Sequence, residues 1–249
     1  KVLAYRYLRL SGTVSAMQDL QALYQSKRGT PDELAQFVKS GDVCASDIAL
    51  SNSAEIYEAI GRRIQAGDLH NVTQHTMLDT APYPFYRPEF AEDVMPAFYR
   101  NFPRIFREDV KADVFIGVVS PMDRHGYFST GCSGSVSEAI LSGAKTILLE
   151  VNPQMPRALT APQIHISQVT ALWEHDAPLF TLPPVEIDET STQIGGYIAE
   201  EIPDGATIQL GVGTIPDAVG MALRSKHHLG IHTEMLTDSM IGLLECGAA

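Results

Sequence analysis

Apolar residues recur along this chain in two rhythms, one suited to helices and one to buried strands. Thr30-Pro-Asp-Glu33 places a hydroxyl ahead of a proline at the first helical position, with a glutamate at the third. That is a capping box, and it predicts a helix through Leu34, Phe37 and Val38 that stops at Gly41. A short strand follows over 42–49. From Ser53 to Arg63 and just beyond, Ile56, Ile60 and Ile64 keep the spacing of one helical face. His70 to Met77 reads as the next strand. Val114 to Val119 and Thr146 to Val151 are continuous apolar runs of strand length, the pattern of parallel strands buried on both faces. A helix is expected between them over 133–142, and another over about 190–201 with Ile194, Ile198 and Ala199 inward. Alternating strands and helices predict an α/β fold: an open, mostly parallel sheet flanked by helices, with right-handed crossovers.

Punctuation divides the chain further. Lys1, Arg6, Arg9, Lys27 and Arg28 face one acid, Asp19, over the opening residues. These predict a basic, loosely held tail or a lead-in helix over 1–29, with the main ordered part starting near Thr30. Residues 80–108 are crowded with aromatics and prolines, Tyr83 and Phe106 among them, and predict an excursion covering an edge of the core or a pocket. Leu182-Pro-Pro-Val-Glu-Ile187 is the expected linker. A first α/β domain is therefore expected over 30–185, and the start of a second over 190–249. Two stretches support this. Gly41 precedes a strand, a Ser/Asn turn, a helix ending in Arg62-Arg63, and then His75-Thr76. Gly205 precedes a strand, a Gly-rich turn, a helix ending in Arg224-Ser-Lys226, and then His232-Thr233. They read as a duplicated βαβ unit whose second copy is truncated, so that the chain is expected to be the N-terminal portion of a longer protein.

The 249 residues carry a net charge of −12, which excludes nucleic acid or an anionic membrane as the main partner. No apolar run reaches the length of a membrane span, and a cytoplasmic location is expected. Cys44, Cys132 and Cys246 are too far apart in sequence to suggest a disulfide framework or a zinc site. Of eight histidines only His227 and His228 adjoin, so no metal is indicated.

Candidate chemistry gathers late in the chain. In Thr207-Ile-Gln-Leu-Gly-Val-Gly-Thr-Ile-Pro-Asp217 a strand runs into Gly-x-Gly and then a helix. Glycines let amide N–H groups approach a ligand, and a helix N-terminus favours negative charge. Gln209 adds a side-chain amide. Gly230-Ile-His-Thr-Glu-Met235 brings Glu234 to the carboxyl end of the next strand, where adjacent strands serve one crevice. A carboxylate facing amide donors suits a nucleophile with an oxyanion hole, a general base, or a carboxylate capping buried amides. Pro216 stands where a dinucleotide fingerprint needs its third glycine, which argues against a nicotinamide cofactor. Ser120, Asp123, His125 and Ser129 hold the ingredients of a hydrolytic triad but read better as a self-bonded turn. Asn152 and Arg157 follow a buried strand, and fit a pocket wall or a Pro-stiffened turn equally well.

Four ordered runs now make a specific pattern: Ser120-Pro-Met-Asp-Arg-His-Gly-Tyr127, Glu150-Val-Asn-Pro-Gln-Met-Pro-Arg157, Gln209-Leu-Gly-Val-Gly-Thr-Ile-Pro-Asp-Ala218 and Leu229-Gly-Ile-His-Thr-Glu-Met235. Over about 30–249 the chain resembles the N-terminal portion of the acetyl-CoA hydrolase/CoA-transferase family, including 4-hydroxybutyrate and butyryl/acetate CoA-transferases. The resemblance implies two similar α/β domains with the active site between them. It implies that Glu234 attacks an acyl-CoA thioester and passes through a glutamyl-CoA thioester in ping-pong fashion. Gln209 and the backbone of Leu210, Gly211, Val212 and Gly213 would surround the CoA pantetheine end and the oxyanion. Ser120, Asn152 and Arg157 would be pocket candidates. Coenzyme A is then a substrate, no cofactor is held permanently, and acyl-CoA, a short-chain carboxylate and a second copy in a homodimer are the expected partners. Two departures stand out. Family members are about twice as long and carry a Gly-Gly-x-Gly-Gln-type loop in their second half. After Arg157 they usually continue with Thr and Gly, where this chain reads Ala158-Leu-Thr-Ala-Pro162. The isolated chain is therefore expected to turn over little or nothing. An acyl-CoA hydrolase and a non-catalytic metabolite-binding module on the same scaffold are the competing expectations.

Overall fold

Continuous apolar runs become the centre of a sheet in the computed structural model, which describes residues 17–80, 83, 95–183 and 186–249. Residues 1–16, 81–82, 84–94 and 184–185 lie outside that description, and with them the start of the basic tail, much of the aromatic stretch and the middle of the expected linker. The chain divides into two units, Lys1–Phe180 and Thr181–Ala249.

In the first unit, β1 (Val43–Ile48), β2 (Thr73–Met77), β3 (Val114–Val119), β5 (Thr146–Val151) and β7 (Ala171–Glu174) form one sheet. Its order is β2-β1-β3-β5-β7 and every pairing is parallel. All six residues of β3 are buried. Neighbours along a strand point to opposite faces, so Phe115 and Leu149 enter one core with Phe128 and Ile164. Ile116 and Leu148 enter the other with Leu34 and Ile56. A separate antiparallel pair joins β4 (Tyr127–Ser129) to β6 (Gln163–His165).

The helices repeat the sequence pattern with informative exceptions. Thr30 caps α1 (Pro31–Ala35) through the expected capping box. That helix ends at Ala35 rather than Gly41. Phe37 and Val38 donate instead to Leu34 and Ala35 carbonyls in tight turns, and Phe37 stays exposed. α2 (Ala54–Gln65) buries Ile56 and Ile60 as its period predicts. A short helix, α3 (Phe102–Ile105), precedes β3, and Phe106 beyond it packs into the core. α4 is only Ser137–Leu141, shorter than expected. Its first turn is held by Asp47, whose buried carboxylate accepts from Val136 N, Ser137 N, Ser137 Oγ and Ser135 Oγ.

Order does not begin near Thr30. Residues 17–26 are helical, and Tyr24 is buried against Phe128 with its hydroxyl on Glu174. Lys27 to Gly29 then run beside β7, with Leu172 donating to Lys27 O and accepting from Gly29 N. A basic composition hid a segment anchored by one aromatic ring and a few main-chain bonds.

The second unit holds α5 (Glu189–Glu201), β8 (Thr207–Ile208), α6 (Thr214–Ala222), β9 (Gly230–Ile231) and α7 (Asp238–Glu245). β8 and β9 pair in parallel around α6. α5 buries Ser191, Gly195 and Ala199, while Ile198 is exposed and Ile194 only partly covered. Only Ala199 of the three expected inward residues is buried. The cause is close packing: a Cβ on Gly195 would lie 2.8 Å from the Ala218 carbonyl carbon. Small side chains let these two helices approach, so the large apolar ones turn away. Among the described residues no helix is long and apolar enough to cross a membrane.

Candidate active site

Two loops leaving one strand edge build the candidate site of the second unit. Ile208 pairs with Ile231, and His232 N donates to Ile208 O at 3.0 Å. The segments after β8 and β9 therefore start side by side. One is Gln209-Leu-Gly-Val-Gly213; the other is His232-Thr-Glu-Met235. Leu210 is buried and anchors the first segment, whereas Gln209, Gly211 and Val212 are exposed. Gly213 precedes α6 with φ 122° and ψ 177°, a backbone region open almost only to glycine. Thr233 ties the loops together: its Oγ1 reaches Met235 O at 3.0 Å and Leu210 O at 3.4 Å.

Glu234 lies on an exposed bend, and its carboxylate makes no hydrogen bond or ion pair among the described residues. The amide groups of Gly211, Val212 and Gly213 likewise donate to no partner there. A carboxylate and amide donors without partners among the described residues, on loops joined by Thr233, are both available to a ligand. A carboxylate that capped buried amides would be engaged already, so that alternative does not describe Glu234.

The other sequence candidates lie in the first unit, and each is engaged in its own turn. Ser120 is buried, accepts from Ser129 N at 3.1 Å and lies 3.2 Å from Pro121 O. Asn152 is buried, accepts from Gln154 N at 2.9 Å and donates to Ala177 O at 3.0 Å. Arg157 donates to Gln163 Oε1 at 2.8 Å and to Tyr127 O, and pairs with Asp123 at 3.4 Å. These three side chains stitch the loops after β3 and β5. Asp123 accepts from His125 N and Tyr127 N, the self-bonded turn expected in place of a triad. Burial raises the Asp123 carboxyl, but these N–H donors and Arg157 outweigh it and hold the group below its usual range.

Sequence reasoning missed two polar clusters at the carboxyl edge of the first sheet. One is Asp47 with the start of α4. The other joins Glu55, Glu150 and His175, far apart in sequence. A weak signal existed for both. Asp47 interrupts a buried strand, and Glu150 is the one charge in a continuous apolar run. Charges in such places need partners.

Comparison with known proteins finds relatives over most of the chain. Residues 85–183 match the family model described as the acetyl-CoA hydrolase/transferase N-terminal domain. Succinyl-CoA:cyclohexane-1-carboxylate CoA transferase of Geobacter metallireducens is 35% identical over 257 residues, covering 94% of this chain and 58% of that protein. The chain matches the acetyl-CoA hydrolase/CoA-transferase family. Among solved structures, RipA from Yersinia pestis matches this chain with a TM-score of 0.84 and 29% identity, over 93% of this chain and 61% of that one. The 4-hydroxybutyrate CoA-transferase of Porphyromonas gingivalis matches with a TM-score of 0.81 and 34% identity, over 92% of this chain and 59% of that one. The chain thus spans about three fifths of the length of these three proteins.

Proposed function

We propose that this chain carries the nucleophile and part of the CoA-binding surface of an acyl-CoA:carboxylate CoA-transferase. The observation that carries the reading is the Glu234 carboxylate, unengaged among the described residues and tethered through Thr233 to a glycine loop whose amides are likewise unengaged there. In this reading a Glu234 oxygen attacks the thioester carbonyl. A carbon–oxygen bond forms, the carbon–sulfur bond breaks, and CoA leaves as thiolate. The thiolate then attacks the glutamyl carbonyl of the resulting anhydride and releases the free acid. An acceptor carboxylate reverses both steps and takes CoA away. The amides of Gly211 to Gly213 and the Gln209 side chain serve the oxyanion and the pantetheine end. A thiolate leaves readily, and an anhydride keeps the acyl group activated, so a carboxylate nucleophile suits the chemistry.

The test is CoA exchange between butyryl-CoA and labelled acetate, run on the full-length protein. Glu234→Gln is expected to lower the rate by about 10³-fold or more, as loss of a nucleophile does. Retained exchange in that variant contradicts the proposal. Free CoA appearing equally fast without any carboxylate would assign the same chemistry to water as acceptor, making the enzyme a hydrolase.

A further inference from the structure

One cluster in the first unit takes no part in this chemistry. Glu150, at the end of β5, is buried. His175 follows β7, donates its amide to Val151 O at 3.0 Å and stacks on Trp173 with ring centroids 4.4 Å apart. Glu55 lies in the first turn of α2. His175 Nδ1 is 3.0 Å from Glu150 Oε1 and 3.9 Å from Glu55 Oε1. One ligand atom from each residue can be chosen so that all lie within 4.8 Å of one another. Ser53, just ahead of α2, donates to the other Glu150 oxygen at 2.6 Å.

Two carboxylates therefore converge, and among the described residues no Lys or Arg pairs with either. Burial, and then the Glu55 charge, raise the Glu150 carboxyl above its ordinary range against the pull of Ser53 and His175. The cluster holds no permanent positive charge to offset this. Two carboxylate oxygens and an imidazole nitrogen suit zinc or manganese. The location is the carboxyl edge of a parallel sheet, where open α/β folds place ligands. Glu55 also lines an open groove with Pro31, Asp32, Ala54, Glu58 and Arg62, which gives a hydrated cation a route in. Ser53 and Trp173 already orient two of the three side chains, as supporting residues around metal ligands do.

We propose that Glu55, Glu150 and His175 form a divalent-cation site, with water completing the coordination. The imidazole then binds through Nδ1 and keeps its proton on Nε2. The proposal is independent of the CoA-transfer reading, because it is tested by binding alone. Zinc chloride titrated into the tag-free chain at neutral pH, followed by calorimetry, should show one saturable site. Glu55→Gln and His175→Gln should each weaken it by about tenfold or more, and Ser53→Ala by roughly tenfold. Glu58→Gln, in the same groove, should leave it unchanged. Circular dichroism verifies that each variant folds, and the half-exposed Glu55 keeps the test available if His175 variants do not. Absence of saturable zinc binding overturns the proposal. So does binding that survives Glu55→Gln undiminished, which would place the metal elsewhere, at His227-His228 for example.

Discussion

The two βαβ units of this chain are built alike at one end and differently at the other. At the start of the first, Gly41 takes φ +88° and donates to His70 O at 3.0 Å; at the start of the second, Gly205 takes φ +78° and donates to His227 O at 2.9 Å. Thr73 N to Asp42 O matches Gly230 N to Ala206 O. Even the side-chain bond recurs, His70 N to Ser40 Oγ and His227 N to Asp204 Oδ1. At the carboxyl ends the likeness stops. Asp47 in the first unit corresponds to Gly211 in the second, and Met77 to Glu234. In the first unit that edge is closed: Asp47 is fully buried and holds the start of α4. In the second, the equivalent edge offers a glycine, and amides and a carboxylate without partners among the described residues. One framework is thus packed shut at Asp47 in one copy and left exposed at Gly211 in the other, and the choice is made by a few residues at the strand ends.

Breaking the closed edge should have the largest effect on stability. Asp47→Ala leaves four donors of the Ser135 to Ser137 segment without their acceptor, and should destabilise the first unit by about 3–5 kcal/mol in urea unfolding. A change under about 1 kcal/mol, no more than one ordinary hydrogen bond, would mean the edge is not closed by Asp47. The second unit has its own tight point. Gly195→Val forces a side chain into the Ala218 backbone and should cost about 1–3 kcal/mol. Gly196→Val, where a Cβ would meet open space, gives the helix-propensity background against which to read it. Thr233→Val removes the tie between the reactive loops. It should cost about 1 kcal/mol of stability and lower CoA exchange without abolishing it, since Glu234 remains.

The smallest effect separates the edges by pH. In the folded chain Glu150 is raised above its ordinary 4.5, chiefly by burial. The folded state therefore binds more protons than the unfolded state just above that value. The stability Glu150 contributes is complete below about pH 4.5 and is lost as pH rises through its folded value. Glu150→Gln should flatten the unfolding free energy over that window, and an unchanged slope would remove Glu150 from the account.

Much of the first unit was legible in sequence because its signals are local. β3 and β5 appear where continuous apolar runs placed them, since strands buried on both faces need no alternation. The capping box of α1 and the period of α2 were equally local. What failed was long-range. α4 is shortened because its N-terminus answers to a carboxylate on β1, and α5 turns a small-residue face inward because a neighbouring helix comes close. Residues 17–26 form a lead-in helix, one of the two readings open for that segment, but composition did not report the buried tyrosine that anchors it. The glycine loop and Glu234 were visible as motifs, but their freedom from internal bonds was not. The triad of Glu55, Glu150 and His175 left only the weak signal of one charge in an apolar run, because three separate elements supply it.

The most direct test of the central claim is the intact mass of the full-length protein after mixing with butyryl-CoA, beside its Glu234→Gln variant. A CoA-sized or acyl-sized adduct that forms only when Glu234 is present is the predicted result. No adduct on a folded wild-type protein, or the same adduct on the Gln variant, would contradict the assignment of Glu234 as the nucleophile.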